Sequence, residues 1–428
     1  MPPLRLDAAA PGFAAAFRAL VEARRDGDSD VAAKVAAIIA DVRTRGDAAV
    51  AELTQRFDRI DLSAGSVVTA AEIDAARAQV PAETLAALDF AATRIRAFHA
   101  AQRPADHDAT DAAGVRAGYR WSAVEAAGLY VPGGLASYPS SVLMNAIPAV
   151  VAGVERLVMV TPTPDGRLNP LVLAAAQLAG ITEIHRIGGA QAIAALAYGT
   201  ATIAPVDKIV GPGNAWVAEA KRQLYGTVGI DMVAGPSEIV VVSDGASNPE
   251  WVAADLLSQA EHDRTAQSIL ITDDARFADA VAAEVKRQLP LLATHDVARA
   301  SWEAYGAIIL VARLDDAVPL VDALAPEHVE LMVDDPHAMF AKLRHAGSVF
   351  LGRHTPEAAG DYVGGPNHVL PTGRRARFAS GLSVTDFMKR TTFLDCGPAG
   401  LAAIGPAAAT LADAEGLPAH AASVRVRL

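Results

Sequence analysis

An α/β fold with two parallel sheets is predicted by three features of this 428-residue chain. From Gly128 onward, short apolar runs alternate with glycine turns and helical stretches, a grammar that implies right-handed crossovers and parallel pairing. The grammar runs as two series, separated by Gly235-Pro236-Ser237. Before and after them, residues 1 to about 110 and those beyond Gly397-Pro398 are alanine-rich and helical in pattern.

The N-terminal part reads as helix after helix. Thr69-Ala70-Ala71-Glu72 is a capping box, and Pro81 opens a helix running to about His99. Ala105 to Gly118 is polar and aperiodic, which predicts a loop or exposed crossing. Strands of the first series are expected at Leu129–Val131, Arg156–Val160, Glu183–Ile187 and Lys208–Val210. Helices follow around Leu171–Leu178, from Ala190-Gln191, and over Ala215–Leu224. The second series has strands at Glu238–Val242, Ser268–Thr272, Ala307–Val311, Val329–Val333 and Ser348–Leu351. Between its first two strands lies a helix with Asn248 as N-cap and Pro249 at the first helical position. The last segment is short and mixed over Leu382–Lys389, then helical to Glu415. Its apolar mass is too small for a core of its own, so it is expected to pack on another domain or another subunit.

Composition narrows the function. This length favours two or more domains, and 52% hydrophobic residues suit a well-packed soluble protein. No apolar run reaches a membrane span, and no basic start precedes an apolar block, so neither a transmembrane segment nor a signal peptide is expected. One cysteine, Cys396, excludes an internal disulfide and a multi-thiolate zinc site. The cytoplasm is the expected compartment. A net charge of −12, with acids spread along the chain, argues against nucleic acid as partner. The densest basic spots, Lys221-Arg222 and Arg374-Arg375-Ala376-Arg377, read as solvated faces.

Several segments carry residues suited to chemistry. Gln259 and His262 are three apart at a helix end, so one face offers an amide oxygen and an imidazole to a metal. Glu327-His328 is a candidate acid/base pair at a strand entry; both can face one pocket only across a turn, which Pro326 could supply. Gly360 to His368 is a glycine-rich loop with Asp361 and His368, and Glu415 and His420 lie in the tail. Each could instead be ordinary surface. Glycine turns at Gly133-Gly134, Gly188-Gly189 and Gly211-Pro212-Gly213-Asn214 follow strands, and helix N-termini there could bind a pyrophosphate. None has G-x-G-x-x-G spacing. Cys396 reads as a packed or surface thiol, with a nucleophilic role as the alternative.

Taken in order, these segments resemble histidinol dehydrogenases. The resemblance is carried by Tyr130-Val131-Pro132-Gly133-Gly134, Tyr138 to Asn145, Ile187 to Ile193, Val210 to Asn214, Asp231 to Glu238, the Gln259/His262 helix, Glu327-His328, Gly360-Asp361-Tyr362, Asn367 to Gly373 and Glu415 through Arg427. It implies two Rossmann-like parallel-sheet domains plus small helical N-terminal and C-terminal extensions. Residues 1–28 would form the N-terminal extension, 29–129 with 239–381 a discontinuous catalytic and zinc domain, 130–238 an NAD-associated domain, and 382–428 a tail packed on the partner subunit. It implies NAD-dependent oxidation of L-histidinol through L-histidinal to L-histidine. One Zn2+ per subunit would be held by Gln259, His262, Asp361 and His420, orienting the substrate. His328 would take the alcohol proton and Glu327 would activate water. Ser237, His368 and Glu415 would contact substrate together with His328 and the zinc ligands, and Tyr130, Gln191 and Asn214 would contact NAD. The implied assembly is a homodimer with shared active sites. Competing readings are a relative acting on another small alcohol, a zinc hydrolase without NAD, and a non-catalytic nucleotide-binding module.

Overall fold

The computed structural model describes residues 3–23, 30–133, 138–233 and 235–428. Gly134, Ala234 and the expected boundary between residues 28 and 29 lie outside them. The chain opens with strand β1 (Leu4–Asp7) and helices α1 (Phe13–Glu22), α2 (Asp30–Arg45), α3 (Asp47–Asp58), α4 (Ala70–Arg77) and α5 (Ala82–Ala100). Thr69 caps α4 through the expected box: its hydroxyl accepts from the Glu72 N–H while Glu72 reaches back to the Thr69 N–H at 2.8 Å. A hairpin of β2 (His107–Thr110) and β3 (Val115–Ala123) then leads into the first parallel series.

That series runs β4 (Ala126–Tyr130), α6 (Pro139–Ala152), β5 (Arg156–Val160), α7 (Pro170–Ala179), β6 (Glu183–His185), α8 (Gly189–Tyr198), β7 (Lys208–Val210), α9 (Ala215–Leu224) and β8 (Gly229–Ile230). The five strands pair in parallel in the order β6-β5-β4-β7-β8. Ala127, Leu129, Leu157 and Met159 pack on one face, Ala126, Tyr130, Val158 and Val160 on the other. Both faces are therefore apolar, as a parallel sheet covered by helices requires. The strand order reverses between β4 and β7, which opens a crevice at their carboxyl ends.

The second series runs β9 (Glu238–Ser243), α10 (Pro249–Ala260), β10 (Gln267–Thr272), α11 (Ala275–Gln288), α12 (His295–Tyr305), β11 (Ala307–Leu310), α13 (Ala317–Leu324), β12 (His328–Met332), α14 (Pro336–Phe340) and β13 (Ser348–Leu351). It forms a six-stranded parallel sheet in the order β1-β11-β10-β9-β12-β13. Asn248 caps α10 by accepting from the Glu250 N–H at 2.9 Å. Short helix α15 (Glu357–Ala359) runs into a single π turn, Gly360–Gly364. The chain ends with β14 (Met388–Cys396), α16 (Pro398–Ala414) and α17 (Pro418–Arg425).

The structure departs from the expectations in four places. The N-terminal part is not wholly helical, because β1 adds an edge strand to the second sheet beside β11. Ala105 to Gly118 is no loop: β2 and β3 join β14 in a three-stranded antiparallel sheet. Most of these residues are exposed on both faces, so no apolar alternation marks them. Helices α2 to α5, expected with the 239–381 portion, pack on the five-stranded sheet: Val35, Ile39 and Val50 on one face, Ile73, Leu88 and Ile95 on the other. Finally, Lys221 is not on a solvated face; only 2% of its side chain is exposed.

Candidate active site

Three elements meet at the amino edge of the six-stranded sheet, and each brings polar side chains on one face. Helix α10 offers Asp255 and Gln259 one turn apart. Strand β12 offers His328 and Glu330, two residues apart on one side of the strand. The short helix and its π turn carry Glu357 and Asp361, again four apart, and such π turns favour functional sites.

His328 is the hub. Its Nδ1 lies 3.1 Å from the Glu238 carbonyl, 3.1 Å from Glu357 Oε1 and 3.8 Å from Glu327 Oε2. A backbone carbonyl only accepts, so these partners assign the proton to Nδ1. Nε2 is then the lone-pair nitrogen; it is buried without a hydrogen-bond partner and faces Asp361 Oδ1 at 3.8 Å. Burial pushes the imidazole pKa down to about 3, and the neighbouring His262 and His368 rings act in the same direction. The ring is therefore a neutral base at physiological pH. Gln259, fully buried, sets its amide 3.2 Å from the same Glu238 carbonyl, 3.0 Å from Glu357 Oε1 and 3.1 Å from His328 Nδ1.

Glu327 shares the pocket because α13 ends at Ala325 in a left-handed conformation, φ 44°, before Pro326. The expected turn is made by both residues. The Glu327 carboxyl accepts from the Glu238 N–H at 3.0 Å and from Ser237, yet burial, then the charges of Glu238 and Asp361, raise its pKa well above the carboxylate range. His368, from the loop after the π turn, is half-buried with Nδ1 2.9 Å from the Asp361 carbonyl and Nε2 3.3 Å from Ser141 Oγ. Burial takes its pKa down to about 4. His262 follows just past the end of α10, its backbone N–H on the Gln259 carbonyl at 3.2 Å.

Among the described residues, the donor atoms of His328, Glu357 and Asp361 lie within 4.8 Å of one another and could hold a cation. Burial raises the pKa of Glu357, with Asp361, Glu330 and Glu327 adding to it, and that of Asp361 to about 7. So many crowded carboxyls need positive charge nearby to ionise together. His420 and Glu415 are elsewhere: both are exposed, Glu415 capping α16 and His420 on α17. Cys396 ends β14 with no disulfide partner.

Tyr130, Gln191 and Asn214 lie at the other sheet, around the crevice at the strand-order reversal. The Tyr130 hydroxyl accepts from the Gly189 N–H at 3.2 Å, and Gln191 is buried in the first turn of α8. Asn214 is exposed and caps α9, its Oδ1 accepting from Trp216 and Val217 N–H groups at 3.1 and 3.2 Å. Its NH2 remains for a ligand.

Residues 21–428 match the family model described as histidinol dehydrogenase. The chain belongs to the histidinol dehydrogenase family. It is 65% identical over 426 residues to the histidinol dehydrogenase of Zymomonas mobilis, covering 99% of each chain. To that of Rhodopseudomonas palustris it is 63% identical over 427 residues, covering 100% of this chain and 99% of the relative. A crystal structure of histidinol dehydrogenase from Elizabethkingia anophelis has a TM-score of 0.95 at 37% identity, covering 99% of this chain and 98% of that one. Membership makes the chain an enzyme and an oxidoreductase.

Sequence reasoning missed Asp255, Glu330 and Glu357. A signal was present: each is an acid spaced one helix turn or one strand repeat from a residue already singled out, and Glu330 interrupts an apolar strand.

Proposed function

We propose that the chain is a zinc-containing, NAD-dependent cytoplasmic enzyme that oxidises L-histidinol through L-histidinal to L-histidine, the last steps of histidine biosynthesis. The observation that carries this reading is the buried pair of a neutral His328 and a high-pKa Glu327 beside the Gln259–Asp361 cluster. An alcohol oxidation needs a base for the hydroxyl proton, and hydration of the aldehyde needs a second group to take a proton from water. His328 Nε2, with its free lone pair, accepts the first. Its Nδ1–H, held by the Glu238 carbonyl and Glu357, keeps the ring in that tautomer. Glu327, held by the Glu238 N–H and Ser237, accepts the proton of the attacking water.

The donor set fits a cation: buried Glu357 Oε2 lacks a hydrogen-bond partner beside Asp361, and nitrogen and oxygen donors without thiolate suit zinc. Gln259, His262 and Asp361, completed by a His420 from a partner subunit, would hold it. When bound, zinc would orient the substrate's imidazole and amine, and NAD would serve as hydride acceptor in each of two oxidations. His368 beside Asp361, Ser237, and a Glu415 from the partner subunit would complete the substrate contacts. Tyr130, Gln191 and Asn214 suit NAD by their place at the carboxyl ends of β4, β6 and β7, where open parallel sheets bind such ligands. Exposure of Glu415 and His420 supports a homodimer with shared sites.

The test is NADH absorbance on mixing zinc-loaded protein with NAD and L-histidinol. Chelation is expected to abolish the signal and zinc to restore it. No turnover in zinc-loaded protein would reject the reading.

A further inference from the structure

Lys221 and Asp231 form a buried ion pair with 2% and 1% of their side chains exposed, although Lys221 adjoins the solvated Arg222 in sequence. Between them the two side chains hold both backbone polar groups of Gly211 in the Gly211-Pro212-Gly213-Asn214 turn. Lys221 Nζ donates to the Gly211 carbonyl at 3.0 Å, and the Gly211 N–H donates to Asp231 Oδ2 at 2.8 Å. Asp231 is itself fixed just past β8: its other oxygen accepts from the Met232 N–H at 2.6 Å, and its own N–H donates to the Ile209 carbonyl at 3.3 Å. The turn has little slack. Gly211 sits at φ +114°, where an added Cβ would fall 2.1 Å from the Tyr130 carbonyl oxygen, and one on Gly213 would fall 2.4 Å from Val217 Cγ1. Asn214 closes the turn as N-cap of α9, and Lys221 reaches back to Gly211 from that same helix.

A buried ion pair gains little net stability over an apolar pair of equal volume, because desolvation offsets the attraction. Its distinct effect here is geometric. We propose that Lys221 and Asp231 are positioning residues for cofactor binding, fixing the Gly211–Asn214 turn in the shape that accepts NAD beside Tyr130. This rests on the assignment of Asn214 and Tyr130 to NAD.

The test compares zinc-loaded full-length Lys221→Met, the charge-neutral double variant Lys221→Met/Asp231→Asn, and Asn214→Ala, measuring KM for NAD and for L-histidinol separately. Lys221→Met leaves a buried unpaired carboxylate and can unfold, so the double variant decides. The double variant is expected to raise KM for NAD about 10-fold or more while KM for L-histidinol stays within about twofold, since small misplacements of a binding group cost this much. An unchanged KM for NAD in the double variant, with a raised one in Asn214→Ala, overturns the brace and leaves the NAD assignment standing. Equal rises for both substrates assign the pair to general stability and overturn it too. If Asn214→Ala and the double variant both leave KM for NAD unchanged, the NAD assignment of the turn fails, and the proposal falls with it.

Discussion

At the scale of single residues, burial does most of the chemical work. It keeps His328 neutral and able to accept a proton, and it raises the pKa of Glu327 well above the ordinary carboxylate range, which suits it to the proton exchange proposed for it. His328→Ala is expected to slow the alcohol step, and Glu327→Gln mainly the conversion of supplied histidinal, each by about 10²–10⁴-fold. Equal behaviour of both variants on histidinal would refute this division of labour. Asp255 and Glu330 give a second residue-scale expectation. Burial lifts Asp255 to about 6, and burial with the Asp255 charge lifts Glu330 in the same direction. The folded chain thus holds protons that the unfolded chain releases in the ordinary carboxyl range. The associated stability is complete below that range and is lost as pH rises through about 6. Thermal midpoints should therefore fall between about pH 5 and pH 8, and Glu330→Gln should flatten that slope. An identical slope in the variant would remove the pair from the account. Glu327 and His328 stood out in sequence as a Glu-His pair following Pro326 at a strand entry. Lys221 did not, because a lysine beside an arginine reads as surface until a buried aspartate is found across the fold.

Elements were legible where both faces of a strand or one face of a helix are buried. β5, β7 and β13 were placed end to end from their apolar runs, and α10 from its Asn-Pro cap. β2, β3 and β14 escaped because exposed strands keep polar residues on both faces, with Arg390 laid 5.2 Å from the Tyr119 ring centroid. The π turn also escaped, since nothing in a glycine-rich run specifies it. Its shape depends on Gly360: an added Cβ would fall 2.3 Å from Phe350 Cε1. Gly360→Ala is expected to displace Asp361 and to weaken zinc binding about 10–100-fold, the usual effect of disturbing a ligand's support. Zinc affinity equal to that of the parent, measured by competition with a chelator, would contradict the role given to this turn.

At the scale of the whole molecule, the two sheets present opposite edges to function. The proposed catalytic cluster sits at the amino edge of the six-stranded sheet, and the proposed cofactor site at the carboxyl edge of the five-stranded one. Which sheet each N-terminal helix would cover was not legible, because amphipathic helices pack equally well on any apolar face. The tail's small core was legible and has consequences. α16 and α17 pack on each other, with Gly405 against Val424 and Leu428, and meet the rest of the chain at the Gly114-Val115 turn. If His420 serves a partner's site, His420→Ala and Gln259→Ala chains, each nearly inactive, should recover activity when mixed and exchanged. Each heterodimer would then approach half the activity of a wild-type dimer, one site carrying both lesions and the other none. No recovery after confirmed exchange would place the tail on its own chain. The central claim is that one pocket carries an alcohol to an acid. Its most direct test is the amount of NADH formed per L-histidinol consumed by zinc-loaded enzyme with excess NAD. Two NADH per substrate, with L-histidine as product, is the predicted result; one NADH with histidinal accumulating would contradict it.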